Sequence, residues 1–332
     1  MTGPSPTRMR QTRRWRDYTV LAALIVFVVG GLVALAAATG WEETLSQIAG
    51  LTWAQVALLL GLSLFNYVAR GLRWHLFATK LVSTTQLLQN MRHFLGGLAM
   101  SVTPGRLGEL VRMRWLSRET GVGFDKSAPL MLADRSSDLS AMGLLLALAI
   151  AASATGIAGA VPVAILALVA AFVATRAELV ISLGGLGYRI LGRFPRLFAR
   201  LRRAGRAIAQ FSTPRVLILA TLIGSAGWLA EGIAFWMLLH WMGTDMVLST
   251  AVAIFVFSTL AGGLTGAPGG VGGAEAAMVA LLSLEGVPLE TSLPATAIIR
   301  LTTLWFAIVI GLLVFPIAER QSLKVRDALE NH

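Results

Sequence analysis

Two stretches of the chain, GVGFDKSAPLMLADRSSDL at residues 121–139 and GVPLETSLPATAIIRLTTL at residues 286–304, are copies of one pattern. Six of the 19 aligned positions are identical, including Arg135 and Arg300, where roughly uniform residue usage gives about one or two identities by chance. The chain therefore contains an internal repeat, and each copy places one arginine inside apolar sequence.

A proline- and glycine-rich motif precedes each copy: PGRLGE at residues 104–109, and PGGVGGAE at residues 268–275. Each motif follows an apolar segment, at residues 86–103 and 247–267 respectively. Proline and glycine free backbone polar groups that lipid cannot satisfy, so such backbone survives at membrane depth only when it is buried in protein or faces water. We therefore predict two re-entrant hairpins, each made of two half-helices.

The composition is that of a membrane protein. Hydrophobic residues make up 56% of the 332 residues and charged residues 14%, against about 25% charged in soluble domains, and the mean hydropathy is +0.72. This excludes a soluble enzyme, and the absence of cysteine excludes a disulfide scaffold. Apolar runs long enough to cross about 30 Å of hydrocarbon predict six full spans, three of them with ionisable residues inside, at about residues 19–39, 52–69, 126–153, 156–175, 214–241 and 293–318.

The first predicted span has a competing interpretation as a secretory signal. Its 21 uncharged residues exceed the apolar core of about 7–15 residues that is usual in such signals. We therefore expect an uncleaved helix, and an all-α polytopic membrane protein with six full spans and two re-entrant helical hairpins.

The distribution of charge predicts the orientation. The net charge is +11, but the predicted outer segments, residues 40–51, 154–155 and 242–292, contain no lysine or arginine. By the positive-inside rule, residues 1–18 and the tail at 319–332 lie in the cytoplasm, and the protein is a multi-pass protein of the cell (inner) membrane. The charge thus reports topology, and we expect no nucleic-acid partner.

This topology places the first hairpin on the cytoplasmic side and the second on the outer side. Within a single transmembrane domain, residues 19–318, the copies at about 86–153 and 247–318 are then inverted. Inverted repeats with broken helices in matching positions predict a transport site near the bilayer midplane.

The hairpin tips are candidate substrate-binding sites. Proline suits the start of a helix, so we expect each motif's proline to open the outgoing half-helix, whose free N–H groups would bind an anion such as a lipid phosphate. Packing of small residues is the alternative role for the glycines. The tip candidates are Pro104, Gly105, Arg106 and Gly108 in the first hairpin, and Pro268, Gly269, Gly270 and Gly272 in the second.

Ionisable residues inside predicted spans are functional candidates because a charge at the bilayer centre is costly. Arg135 and Arg300 could pass an anionic headgroup from one side to the other. The alternative is internal pairing, of Arg135 with Asp138 three residues on, or of the two arginines with glutamates. The carboxylates included in the candidate translocation site are Glu109, Glu275, Asp134, Asp138 and Glu231.

Other chemistries receive little support from the sequence. Asp134 and Asp138 have the i, i+4 spacing of a weak metal-binding pair, but the four histidines lack ligand-like spacing. We expect no metal, no cofactor and no enzymatic activity. The basic segment at about 176–213, with arginines from Arg196 to Arg206, predicts an amphipathic helix on anionic lipids of the inner leaflet.

These motifs together resemble the transmembrane region of lysylphosphatidylglycerol synthases. The resemblance rests on RGLRW at residues 70–74, PGRLGELVR at 104–112, the Asp134–Arg135 helix, PGGVGGAE at 268–275 and Arg300, and it extends from about residue 19 to 318. It implies a lipid flippase module. Only about 14 residues follow the last predicted span, so we expect a stand-alone homologue without the aminoacyl-transferase domain of the bifunctional synthases.

We therefore predict a membrane lipid transporter, a flippase that moves a lipid with an anionic polar headgroup between leaflets by alternating access. The predicted headgroup path runs between the two hairpins, and membrane lipids are the expected partners. A membrane-embedded lipid-modifying enzyme and an ion or small-solute carrier are the alternatives. The sequence leaves the lipid, the direction, the energy source and the oligomeric state open.

Overall fold

The computed structural model describes residues 41–103, 107–152 and 213–330, together with isolated positions between 161 and 211. Over these residues the chain is helical and contains no strand. The helices are α1 (Trp41–Gly50), α2 (Trp53–Leu81), α3 (Leu87–Gly97), α4 (Leu107–Thr120), α5 (Phe124–Ala152), α6 (Pro214–Trp241), α7 (Leu248–Leu264), α8 (Gly273–Leu284), α9 (Leu289–Arg300) and α10 (Phe306–Glu330).

Four of the helical stretches are long and apolar enough to cross a membrane: Trp53–Leu81, Pro129–Ala152, Pro214–Trp241 and Leu289–Ala328. They correspond to four of the six predicted spans, so the prediction of a multi-pass helical membrane protein is confirmed. The span predicted at 19–39 lies outside the described residues, as does most of the one at 156–175 and the basic segment around Arg196–Arg206.

Local sequence explains where the long helices begin. The Oγ1 of Thr52 accepts a hydrogen bond from the backbone N–H of Gln55, whose side chain in turn accepts from the N–H of Thr52, a capping box that opens α2. Pro214 occupies the first position of α6, where the missing N–H of proline costs no helical hydrogen bond.

Where the first re-entrant hairpin is predicted, the chain forms two short packed helices, α3 and α4, and a turn at Leu98–Met100 follows α3. The two helices pack closely because glycines lie at their contact. A Cβ on Gly108 would lie 2.2 Å from the carbonyl oxygen of Gly97, so only glycine allows this approach. Pro104, Gly105 and Arg106, at the tip, lie outside the described residues.

The second hairpin consists of α7 and α8, joined by the turn Pro268–Gly270. Pro268 does not open the outgoing half-helix as predicted, because α8 begins only at Gly273. The reason is the backbone of the intervening glycines: Gly269, Gly270 and Gly272 all have positive φ, between +65° and +86°. This left-handed conformation, which glycine adopts at little cost, interrupts the helix between the proline and Gly273.

The two hairpins touch each other at their tips. A Cβ on Gly269, in the second hairpin, would lie 2.9 Å from Val102 of the first hairpin and 3.3 Å from Leu304. The surrounding cluster is apolar and includes Val102, Trp305 and Ile308. The described parts of the two hairpins therefore meet through apolar side chains at this contact.

The two repeat copies share local conformation. Gly121 and Gly286 both have positive φ, +72° and +83°, just after the outgoing helix of each hairpin. Pro129 and Pro294 both lie inside the helix that follows. The copies therefore have the same order of elements, a helical hairpin, a glycine turn and a helix that carries the arginine.

A network of ion pairs fixes the first hairpin to α10. Glu319 of α10 accepts from Arg114 at 2.7 Å, from Arg118 at 2.7 Å and from the indole of Trp115 at 2.6 Å. Glu119, at the end of α4, pairs with Arg92 of α3 at 2.8 Å. Burial alone would raise the pKa of Glu119, but the hydrogen bond and charge of His93 and the charge of Arg92 hold its pKa below its ordinary value.

The packing of α10 on the first hairpin yields a prediction about stability. A Cβ on Gly311 would lie 2.0 Å from the backbone nitrogen of Ala99, so Gly311→Ala forces backbone atoms apart and should lower the free energy of unfolding by about 1–3 kcal/mol. Gly61→Ala is the matched control, since a Cβ at that position would have no neighbour within 4 Å and alanine favours helix. Thermal unfolding in detergent measures both. Equal unfolding temperatures for the two variants would contradict this packing.

Candidate functional site

Arginines and aspartates from three helices meet in what we name the arginine–aspartate cluster: Arg70 and Arg73 of α2, Arg112 of α4, and Asp134, Arg135 and Asp138 of α5. It lies inside the helical bundle. Arg73 is fully buried and Arg112, Asp134 and Asp138 are at least nine-tenths buried. The i, i+4 spacing of the two aspartates puts both carboxylates on one face of α5.

Arg73 is the centre of the cluster. Its Nε and Nη2 donate to Oδ1 of Asp134 at 3.1 and 2.7 Å, and its Nη2 also donates to Oδ1 of Asp138 at 2.8 Å. Asp138 accepts in addition from the indole nitrogen of Trp228 at 3.1 Å and from Arg70 Nη2 at 3.0 Å. Such charge-assisted bonds are stronger than those between neutral groups, so they hold α2, α5 and α6 together.

Small and aromatic residues make room for the guanidinium groups. A Cβ on Gly224 of α6 would lie 2.8 Å from Nη1 of Arg73, so the glycine leaves the space that the guanidinium occupies. The guanidinium of Arg112 lies over the ring of Phe94, 4.6 Å from its centroid, and 5.3 Å from that of Trp74. These cation–π contacts partly replace the lost hydration of a buried cation.

The described side chains of the cluster carry an excess of positive charge. Four guanidinium groups face two carboxylates. Arg112 is the least satisfied of them: its Nη1 lies 3.5 Å from Asp134 Oδ2, and neither its Nε nor its Nη1 makes a hydrogen bond. A buried cation with unmade hydrogen bonds is costly, so the cluster is suited to bind an additional anion.

The second arginine, Arg300, ends α9, and its guanidinium contacts the turn and the outgoing helix of the second hairpin. Its Nε donates to Oε1 of Glu275 at 2.6 Å and its Nη2 donates to the carbonyl oxygen of Gly269 at 2.9 Å. The other oxygen of Glu275 accepts from the N–H of Gly272 at 2.6 Å. The Gly272 N–H, one of the tip groups at which the sequence predicts binding of a substrate anion, is thus already hydrogen-bonded to the carboxylate of Glu275.

Immediately after Arg300 the helix changes to a π-helical turn, Leu301–Trp305. Such turns occur mostly as single insertions and are frequent at functional sites. The carbonyl of Thr303 in this turn accepts a hydrogen bond from the hydroxyl of Tyr67 in α2. The turn therefore links the arginine-bearing helix to the helix that carries Arg70 and Arg73.

Glu231 is a buried carboxylate of α6, 4% exposed. Arg70, Arg300 and Asp138 are the charged groups that act on it. Glu231 is therefore within electrostatic reach of both the arginine–aspartate cluster and Arg300.

Two of the three predicted ion pairs are present among the described side chains, and the third is untested. Arg135 lies 3.4 Å from Asp138, and Glu275 pairs with Arg300, as the internal-pairing alternative predicts. Glu109 lies in the first turn of α4, but its side chain is not among those described, so its predicted pairing with Arg135 stays a prediction.

Asp134 and Asp138 are engaged by arginines rather than arranged for a metal. Each carboxylate is bonded to Arg73, and further guanidinium groups surround the pair. Positive charge of this kind repels a cation. Within the described ranges, no group of three or more potential metal-ligating side chains occurs.

Sequence reasoning misses three members of the cluster as site residues. Arg70 and Arg73 follow residue 69, the predicted end of the second span. From the sequence they are interpreted as marking its cytoplasmic boundary. The helix instead continues to Leu81. The i, i+3 spacing of Arg70 and Arg73 places them on one face of α2. Together with Arg112, three residues after the first motif, this spacing is the available signal for a shared buried site.

The cluster yields a prediction about folding. Asp138→Asn leaves Arg70 and Arg73 buried with one fewer counter-charge, and breaking a buried pair typically costs about 3–5 kcal/mol. The exposed Asp327, which pairs with Arg326 at 2.7 Å, is the control, since an exposed pair contributes about 0–1 kcal/mol. Thermal unfolding in detergent should show a marked loss of stability for Asp138→Asn alone. A loss no larger than that of Asp327→Asn would contradict the assignment.

Comparison with known proteins supports the membrane assignment. A UPF0104 membrane protein of Methanothermobacter thermautotrophicus is 30% identical over 123 residues, which are 35% of this chain and 36% of the relative. The match thus spans about a third of that relative's length. Residues 20–311, nearly the whole chain, match the family described as lysylphosphatidylglycerol synthase TM region. The protein is therefore a multi-pass membrane protein that belongs to the lysylphosphatidylglycerol synthase transmembrane-region family.

Proposed function

We propose that the protein is a flippase that moves lipids with an anionic polar headgroup between the two leaflets of the cell membrane. The observation that carries this proposal is the arginine–aspartate cluster, with four guanidinium groups against two carboxylates inside a bundle of apolar spans. Intramembrane charge of this kind is costly and marks substrate pathways. Membership of a family named for a lipid synthase points to a lipid substrate.

The proposed transport cycle uses the two hairpins as gates. Arg112 lies against Gly97 of the first hairpin, and Arg300 binds the Gly269 carbonyl of the second. Movement of either hairpin therefore changes the surroundings of one arginine. In this cycle the apolar contact of Val102 with Gly269 is the barrier between the two sides. Movement of one hairpin at a time away from this contact would give alternating access.

In this proposal the repeat copies are inverted, both termini lie in the cytoplasm, and both hairpins are re-entrant, within six full spans and one transmembrane domain. The headgroup binds among the arginines while the tails stay in the lipid. The protein carries out no chemical conversion, so lipid species leave the cycle unaltered.

Reconstitution with a panel of labelled lipids tests the function. In liposomes that contain the purified protein, labelled phosphatidylglycerol should change leaflet faster than labelled phosphatidylcholine, because only the former carries net negative charge. Accessibility to a membrane-impermeant quencher measures the exchange, and protein-free liposomes are the control. Altered lipid masses would favour a lipid-modifying enzyme, and ion flux without lipid exchange would favour a solute carrier.

Arginine variants test the residues. Arg135→Ala should reduce lipid exchange to the protein-free rate, because it removes a charge from the cluster while Asp138 keeps Arg70 and Arg73 as partners. The double variant Arg300→Gln/Glu275→Gln should also reduce lipid exchange to the protein-free rate. Both members of the ion pair are replaced, so neither is left as an unpaired buried charge. Arg215→Ala, at an exposed position, is the control.

Thermal unfolding identifies any variant that fails to fold. If well-folded Arg135→Ala and the double variant both exchange lipid at the rate of the parent protein, these arginines do not carry the headgroup.

A further inference from the structure

The position of Glu231 follows from how α6 packs on α2. A Cβ on Gly224 would contact Arg73, and one on Gly227 would lie 3.4 Å from Ala69 and from the Cα of Asn66. Rising residue numbers in α6 thus meet falling numbers in α2, so the two helices are antiparallel. Glu231 lies one turn beyond Gly227 and on the same face, which places it beside the Asn66 end of this contact.

The neighbourhood of Glu231 is polar and incompletely bonded. Asn66 is fully buried, and neither its side-chain oxygen nor its nitrogen has a hydrogen-bond partner. Glu231 acts electrostatically on Tyr67, the next residue of α2. Buried amides without partners are rare in folded proteins. The contact between α2 and α6 therefore has unused hydrogen-bonding groups, which suit a carboxyl group that gains and loses a proton.

The charged groups that face Glu231 come from three of the four described helices packed against α6. The described helices packed against α6 are α2, α5, α7 and α9. Helix α2 contributes Arg70 and Tyr67, α5 contributes Asp138, and α9 contributes Arg300. Helix α7 has no titratable residue. Ionised Glu231 is thus attracted by two arginines that belong to the two halves of the proposed translocation site.

We propose that Glu231 is a proton-binding carboxylate that competes with the anionic substrate for Arg70 and Arg300. When an anion binds to these arginines, it compensates their charge, and ionised Glu231 loses the attraction that offsets its burial. The carboxylate then takes one proton from water and becomes a neutral carboxylic acid on the face of α6 that meets the Asn66 end of α2. Release of the anion reverses the step and returns the proton to water.

This inference rests on the proposed function for the identity of the anion. It adds that the anionic substrate and one proton bind together, so that binding of each strengthens binding of the other. Because linkage is reciprocal, protonation of Glu231 must strengthen anion binding by the same factor by which the anion promotes protonation.

Calorimetry on the full-length protein in detergent tests the proposal, with short-chain, water-soluble phosphatidylglycerol as the probe. Its phosphodiester does not titrate near neutral pH, so any proton taken up belongs to the protein. Titrations in buffers of different ionisation enthalpy give the number of protons bound. The parent protein should take up a proton, approaching one per lipid, and its affinity should rise by about tenfold per pH unit of acidification where uptake is complete.

Glu231→Gln should bind the lipid without proton uptake and with an affinity that varies little with pH, because glutamine resembles the protonated acid. Glu290→Gln, an exposed carboxylate of α9, is the matched control and should behave as the parent does. Proton uptake that persists in Glu231→Gln, or lipid binding to the parent without uptake, would overturn the role of Glu231 and leave the proposed function standing. No binding by the parent would overturn the anionic substrate and this inference together.

Infrared difference spectroscopy of the parent protein supplies a measurement that needs no variant. Addition of the lipid should produce the C=O band of a protonated carboxylic acid, and the band should shift in heavy water. A difference spectrum without such a band would contradict the inference even if Glu231→Gln failed to fold.

Discussion

The cost of burying arginine among apolar helices governs this structure. A guanidinium cannot shed its proton under physiological conditions, so each buried arginine must find carboxylates, carbonyls or aromatic rings. Arg73 has two aspartates, Arg112 two aromatic rings and one distant aspartate, and Arg300 a glutamate and a carbonyl. These requirements help to fix the contacts between helices, because the partners of each of these three arginines lie on other elements. Those of Arg300 lie on the turn and the outgoing helix of the second hairpin. Replacing such pairs by apolar residues is often neutral or stabilising, so stability alone does not explain why the arginines are there.

The hairpins matter because they carry part of this bonding. The Gly269 carbonyl that accepts from Arg300 belongs to the glycine turn between α7 and α8, and Glu275 both caps α8 and pairs with Arg300. The conformation of the glycine turn and the bonding of Arg300 therefore depend on each other. On the other half, Arg112 belongs to α4 and packs against Gly97 of α3. A ligand that draws either arginine away must rearrange a hairpin, which is how local binding could drive a larger movement.

The sequence predicts the general architecture because that rests on local and periodic signals. Apolar run length predicts the four described spans, and the proline–glycine motifs predict both helical hairpins. The i, i+3 spacing predicts the Arg135–Asp138 pair. The arginine–aspartate cluster is predicted only in part, because it joins residues 61 to 65 positions apart through the packing of α2 on α5, and nothing local records that pairing. The predicted start of α8 is also wrong, since the proline signal at residue 268 is overridden by three glycines with positive φ.

The apolar contact between the hairpin tips changes where an anion would have to be held. The sequence predicts that the tips bind it directly, yet Val102, Gly269 and Leu304 meet there, and Glu275 satisfies the free N–H of the second tip. In the proposed cycle the anion is held instead by Arg112 and Arg70 of the arginine–aspartate cluster and by Arg300 beside the second hairpin. Glu231 is within electrostatic reach of Arg70 and Arg300. A carboxylate in that position keeps both arginines partly neutralised while no substrate is bound. In the proposed cycle it thereby lowers the cost of an empty site and takes up a proton when an anion arrives, so that the protonation state of Glu231 is part of the proposed substrate binding.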